Sequence, residues 1–254
     1  MAITIKSERE IELMAEAGKI LERVHNELEK ALHPGMSTKD IDTLGEEIIR
    51  SYGCIPSFLN YNGYPASICV SVNQEVVHGI PDKHRIIHEG DIVSLDAGVI
   101  YKGYHSDAAR THAVGEVSEE AKKLIQVTKE SFFEGIKFAK AGNHLFDISG
   151  AIGRYAEERG YGVVRDLCGH GIGTALHEAP EIPNYEVGRK GVKLRPGMTL
   201  AIEPMINIGT HEVDWLDDDW TVVTRDGSLS AHYENTILIT EGEPRILSLT
   251  CENE

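Results

Sequence analysis

Residues 95–111 read LDAGVIYKGYHSDAART. Two carboxylates, Asp96 and Asp107, stand eleven positions apart in this stretch. Ile92, Val93, Leu95, Val99 and Ile100 are strand formers. Lys102-Gly103, between Tyr101 and Tyr104, predicts a two-residue hairpin turn. With that turn, Tyr101 pairs with Tyr104 and Gly98 with Asp107. Asp96 then shares a sheet face with Asp107, diagonally across the ladder, about 7–8 Å away backbone to backbone. Carboxylates aimed at one point repel. A sheet holds them there only if a cation sits between them or one takes up a proton.

The chain has 254 residues, 41% of them hydrophobic, which suits one large domain with a real core. Its formal net charge of −16 argues against a phosphate-backbone partner. Twelve histidines are the better lead, toward metal or acid–base chemistry. Cys54, Cys69, Cys168 and Cys251 form no CxxC pair and suggest no disulfide framework. No apolar run is long enough to span a bilayer. The start MAITIKSEREI has no signal-peptide core, because charge begins at Lys6. A cytoplasmic protein away from membranes is expected.

Ser7-x-x-Glu10 reads as a capping box. Behind it Ile11, Met14, Leu21, Val24 and Leu28 recur at helical spacing, which predicts a helix from 7 to about 32. Ser37 opens a second helix carrying Ile41, Leu44 and Ile48, closed by Gly53. A loop with Tyr61, Tyr64 and Pro65 leads into a strand from Ile68 to Val72. NQEVVHGIP places His78 before a glycine, and Gly90 opens the first strand of the hairpin. Ser118-Glu119-Glu120 starts a helix to about Lys140, and another runs from about His144 to Arg159. After the glycine-rich stretch 168–178, strands are expected at 198–206, 219–225, 235–240 and 245–249.

The chain also repeats itself. A shift of 107 places Gly35 on Gly142, Asp40 on Asp147, Gly53 on Gly160, Gly90 on Gly197 and Asp96 on Glu203. Further on, a shift of 127 places Asp107 on Glu234 and Gly115 on Gly242. The halves, about 1–117 and 118–254, therefore differ by an insertion of about 20 residues within 206–230. Packed about a pseudo-two-fold axis in a single catalytic domain, 1–254, they would bring Asp96, Asp107, Glu203 and Glu234 together. Four such acids cannot all stay ionised without cations.

Glu203, in LAIEPM, and Glu234, in SAHYENTILI, sit in apolar strands where an unpaired carboxylate is expensive. His170 lies between Gly169 and Gly171, which permit close backbone approach, and is a candidate fifth ligand. Four carboxylates and an imidazole suit two hard-to-borderline divalent ions. Water bridging such ions is acid enough to act as a nucleophile near neutral pH, so metal-assisted hydrolysis is the expected reaction class. His78 and His177 could donate hydrogen bonds to a substrate carbonyl or to a developing oxyanion.

The stretches SVNQEVVHGIP, GDIVSLDAGVIYKGYHSDAART, GHGIGTALHEAPEIPNY, LRPGMTLAIEPM and SLSAHYENTILIT together resemble type I methionine aminopeptidase. That resemblance implies the α+β pita-bread (creatinase/aminopeptidase) fold: two pseudo-symmetric halves and a central antiparallel sheet covered by helices. It implies that Asp96 holds one metal, that Asp107 and Glu234 bridge both, and that His170 and Glu203 complete the other. Glu203 would also shuttle the proton, His177 would stabilise the tetrahedral intermediate, and His78 would contact the scissile amide. The methionine pocket would map onto Tyr61, Tyr64, Cys69 and Trp220. An unbranched thioether suits aromatic and thiol neighbours. The implied activity is removal of initiator methionine before a small second residue, by a metal-bridged water. The two ions would be Co, Mn, Fe, Zn or Ni, the partners nascent polypeptide N-termini, with the ribosome as a meeting place, and the protein a monomer.

Two departures stand out. Leu176 occupies the position before the motif histidine where an aromatic is expected, which predicts a looser pocket wall. The first helix begins almost at once, so no N-terminal zinc-binding extension is expected, and no long type II insertion is present. Two other readings stay open: an X-prolyl aminopeptidase or prolidase of the same fold, and a non-catalytic binding member.

Overall fold

The computed structural model describes residues 2–249; Cys251 lies outside the described residues. Helix α1 (Glu8–Ala31) starts at the expected capping box, with the Ser7 backbone N–H donating to Glu10 Oε2 at 2.7 Å. Helix α2 (Thr38–Ser51) is capped by Ser37, whose side chain accepts from the Asp40 N–H. There follow β1 (Ile55–Pro56), a short 3₁₀ turn at Tyr61–Gly63, β2 (Ile68–Val72) and β3 (Glu75–Val77). The hairpin is β4 (Ile92–Tyr101) and β5 (Tyr104–Ala113).

Its register is the expected one: Tyr101 opposes Tyr104 and Gly98 opposes Asp107. Lys102 and Gly103 both have positive φ, 49° and 86°, as a type I′ turn demands.

The second half opens with α3 (Glu119–Ile136) and α4 (Leu145–Glu157). Then come β6 (Gly162–Val163), β7 (Gly169–Gly171), β8 (Glu178–Ile182), β9 (Thr199–Ile202) and β10 (Met205–Asn207). The chain finishes with β11 (Val213–Trp215), β12 (Val222–Thr224), β13 (Ser230–His232), β14 (Glu234–Leu238) and β15 (Arg245–Ile246). The principal sheet runs β1-β4-β5-β14-β9-β7-β8, with β2 on β4 and β15 on β14.

The sequence repeat is present in the backbone. Ile87 N–H donates to the Met36 carbonyl and Leu194 N–H to that of Asn143, each at 2.8 Å and each one shift of 107 from the other. Gly35 and Gly142 adopt φ of 96° and 94° at matching turns, where an L side chain would be strained.

Helix packing decides which way the acids point. Leu95, Ala97 and Ala108 pack in one core cluster with Leu21, Val24 and Leu28 of α1. Leu200, Ile202 and Ile237 pack with Ile148 and Ile152 of α4. Strand side chains alternate, so the neighbouring Asp96, Asp107 and Glu203 face away from the helices.

Several expected boundaries shift. The strand expected over 198–206 is two strands in different sheets, broken at Glu203-Pro204, because proline has no N–H for the ladder. Helix α3 stops at Ile136, and residues 138–140 close a turn instead. The strand expected over 219–225 begins only at Val222, since Asp218 folds residues 218–221 into a turn. The run 245–249 pairs only at Arg245–Ile246. Strand β7 is three residues with a glycine at each end, and β8 is interrupted by Pro180, so neither carries a periodic signal.

Candidate active site

Five adjacent strands each contribute one of the five candidate ligands. In sheet order they are Asp96 on β4, Asp107 on β5, Glu234 on β14, Glu203 just past β9 and His170 on β7. His170 reaches the cluster because β7 lies tight between its neighbours. A Cβ on Gly169 would come 2.4 Å from the Ala201 carbonyl oxygen, and one on Gly171 2.2 Å from that of Ala179.

One ligand atom each from Asp107, His170 and Glu234 lies within 4.8 Å of the others. His170 Nε2 stands 3.8 Å from Asp107 Oδ2 and 3.6 Å from Glu203 Oε1. His170 Nδ1 meets the Gly171 carbonyl at 2.9 Å. A carbonyl only accepts, so Nδ1 carries the proton, and the Nε2 lone pair faces the acids.

Burial raises all four carboxyl pKa values. Asp107 rises to about 7. Asp96 is raised further by Asp107, Glu203 by Asp107 and Asp96, and Glu234 by all three of the other acids, with Arg110 opposing. Asp96 Oδ1, Asp107 Oδ1 and Glu234 Oε1 are buried and meet no hydrogen-bond donor of the protein. Orphaned anionic acceptors beside an imidazole lone pair fit a pair of divalent cations and no apolar ligand.

The acids floor a cavity of about 120 Å³. Its walls are the other residues named from sequence: Tyr61, Tyr64, Cys69, His78, His177 and Trp220. Trp220 stands edge-on to Tyr64 at 5.1 Å and to His78 at 6.3 Å between ring centroids. His78 has φ of 59°, a strained conformation that turns its ring toward Trp220. Burial lowers the pKa of His78 to about 4, of His170 to about 3, and that of His177 as well. These imidazoles are neutral at neutral pH.

Sequence reading missed three contributors, Phe58, Asn62 and His232. Phe58 and Asn62 complete the cavity wall beside Leu176, which is 2% exposed. His232 is 2% exposed, with Nε2 3.9 Å from Glu234 Oε2 and 4.0 Å from Glu203 Oε2. A signal for His232 existed: the shift of 127 that maps Asp107 to Glu234 maps His105 to His232. Arg110 donates to the Glu234 carbonyl and to Asn235 Oδ1, holding the centre of the sheet from behind.

The model of the metallopeptidase family M24 matches residues 12–241. The chain is 59% identical to a methionine aminopeptidase of Clostridium acetobutylicum, over 98% of this chain and 100% of that one. The crystal structure of a methionine aminopeptidase from Thermotoga maritima superposes with a TM-score of 0.96 at 47% identity, covering 98% and 100% of the two chains. An Xaa-Pro dipeptidase from Bacillus anthracis shares the fold less closely, with a TM-score of 0.78 and 27% identity, and this chain covers 63% of it. The chain belongs to the metallopeptidase family M24, among its methionine aminopeptidases.

Proposed function

We propose that this chain removes the N-terminal methionine from peptides and nascent proteins whose second residue is small. The observation that carries the reading is the five-donor floor under a cavity of about 120 Å³ walled by Tyr64, Trp220 and Cys69. That volume and lining suit one unbranched thioether side chain.

Asp96, Asp107, Glu234, Glu203 and His170 would hold two divalent ions. When bound, the ions supply Lewis acidity and an acidified water for attack on the scissile carbonyl. The rest falls to the chain's own side chains. Glu203, with its carboxyl pKa raised by burial, takes the proton of the attacking water and passes it to the leaving amine. His177 donates to the developing oxyanion, and His78 to the scissile amide. The substrate's free amine is received on the Asp96 side. Tyr61, Tyr64, Cys69 and Trp220 exclude water from the methionine side chain.

The whole chain acts as one catalytic domain, a monomer of the cytoplasm that meets nascent N-termini at or near the ribosome. A net charge of −16 disfavours direct nucleic-acid binding. No helix among the described residues is long and apolar enough to cross a membrane.

The test is cleavage of Met-Ala-Ser by metal-stripped protein, before and after adding Co, Mn or Fe, with Asp107→Ala and an X-Pro peptide alongside. Metal-restored release of methionine, absent in the variant, is the expected result. Cleavage of only the X-Pro peptide would replace the reading with the prolidase alternative. No cleavage of either by folded, metal-loaded protein would leave a binding member of the fold.

A further inference from the structure

The wall residue Tyr61 does more than line the cavity. Its hydroxyl lies 2.9 Å from His177 Nδ1, and the two rings meet edge-on at 5.2 Å between centroids. Burial raises the pKa of Tyr61 above the ordinary phenol value, so its O–H stays protonated. A phenol O–H donates, and its partner here is His177 Nδ1.

A ring nitrogen that accepts a hydrogen bond carries no proton. A neutral ring has one N–H and one lone pair. If Nδ1 accepts from Tyr61, the proton must sit on Nε2. The His170 ring stands T-shaped against His177 at 4.2 Å and limits its rotation. We propose that Tyr61 is a positioning residue: its O–H···Nδ1 hydrogen bond sets the His177 tautomer so that Nε2–H points toward the reacting carbonyl. This rests on the role given to His177 above. In the wrong tautomer His177 would present a lone pair to a developing negative charge, which repels it.

Two readouts test the proposal on the full chain. The first is ¹⁵N NMR of histidine-labelled protein, metal-free and zinc-loaded, with the His177 signals assigned from the His177→Gln spectrum. His177 is expected as the Nε2–H tautomer, shifting to a mixture in Tyr61→Phe. This readout needs no turnover, so it stands even if methionine removal is disproved. The second is steady-state cleavage of Met-Ala-Ser. Tyr61→Phe keeps the ring and loses only the hydroxyl, so kcat is expected to fall about 10- to 100-fold while KM changes less than about threefold. An Nδ1–H tautomer in the wild type overturns the proposal. So does an unchanged tautomer in Tyr61→Phe. A raised KM at unchanged kcat would reduce Tyr61 to pocket lining and overturn it as well.

Discussion

Thr236 holds Asp107 by both of its backbone groups. One hydroxyl oxygen accepts from the Asp107 N–H at 2.9 Å and donates to the Asp107 carbonyl at 2.9 Å. The backbone of Thr236 is engaged elsewhere, its N–H on Ser248 Oγ and its carbonyl on the Leu247 N–H. A side chain therefore continues the ladder between β5 and β14, on the seam of the two halves, beneath a candidate bridging carboxylate. Thr236→Val keeps the shape and orphans a buried N–H and a buried C=O. A loss of about 2–4 kcal/mol of stability is expected, largely recovered in Thr236→Ser. Denaturant unfolding of the three proteins checks this. Equal stability of the valine and wild-type proteins would mean that the seam does not depend on the hydroxyl.

Metal should stabilise as well as activate. Four buried acids oppose one another, and a cation bound only by the folded state relieves that repulsion. At 100 times its dissociation constant, a divalent ion should add about 2.7 kcal/mol to the folding stability. Asp107→Ala, which removes one side of the cluster, should lose most of that gain. Thermal unfolding with and without Mn or Co reads the difference directly, and an equal gain in both proteins would place the binding site elsewhere.

Lys6 and Glu178 give a pH-dependent prediction. Lys6 Nζ meets Glu178 Oε2 at 2.6 Å, with side-chain exposures of 4% and 11%. Glu178 follows His177 directly, so this pair ties the N-terminal segment to the loop under that histidine. Burial pushes the Glu178 pKa upward, but Lys6 and Thr4 outweigh it, and the net result is lowered. A lowered carboxyl pKa contributes its full stability above the ordinary glutamate value and loses it as pH falls through the folded value. Lys6→Met should cost about 3 kcal/mol at pH 7, because it leaves Glu178 buried without its partner. The gap from wild type should narrow steadily below about pH 4.3. A gap independent of pH would exclude the charge pair as its cause.

The methionine pocket can be tested through Trp220. Asp218 Oδ1 accepts from the Trp220 N–H at 2.9 Å and from the Thr221 N–H at 2.7 Å, which sets the indole against Tyr64. Trp220→Ala opens that wall and removes contacts to the thioether. A fall of about 10- to 100-fold in kcat/KM for Met-Ala-Ser is expected, mostly through KM. A fall confined to kcat would instead assign Trp220 to the chemistry, through His78.

Much of the acid cluster was legible in the chain because strands and repeats leave periodic marks. The Lys102-Gly103 turn set the register of β4 and β5, and the 107 and 127 shifts paired Asp96 with Glu203 and Asp107 with Glu234. Strand breaks were less visible. The interruption at Glu203-Pro204 sends β9 and β10 to different sheets, a choice made by neighbouring strands as much as by proline. Phe58, Asn62 and His232 were missed because none belongs to a repeating apolar pattern, and only the fold brings them to the cavity or to its acids.

The sequence by itself determined two related halves, the central hairpin and the five metal-type side chains, because side-chain alternation and turn chemistry are local. Only the tertiary structure decided the cavity. Tyr61, His78, His177 and Trp220 come from four separate loops, and their approach depends on how the sheets and the inserted β11–β12 hairpin pack. The proton positions on His170 and His177 were likewise decided there. They follow from the Gly171 carbonyl and the Tyr61 hydroxyl, and in the case of Tyr61 from a neighbour 116 residues away in the chain.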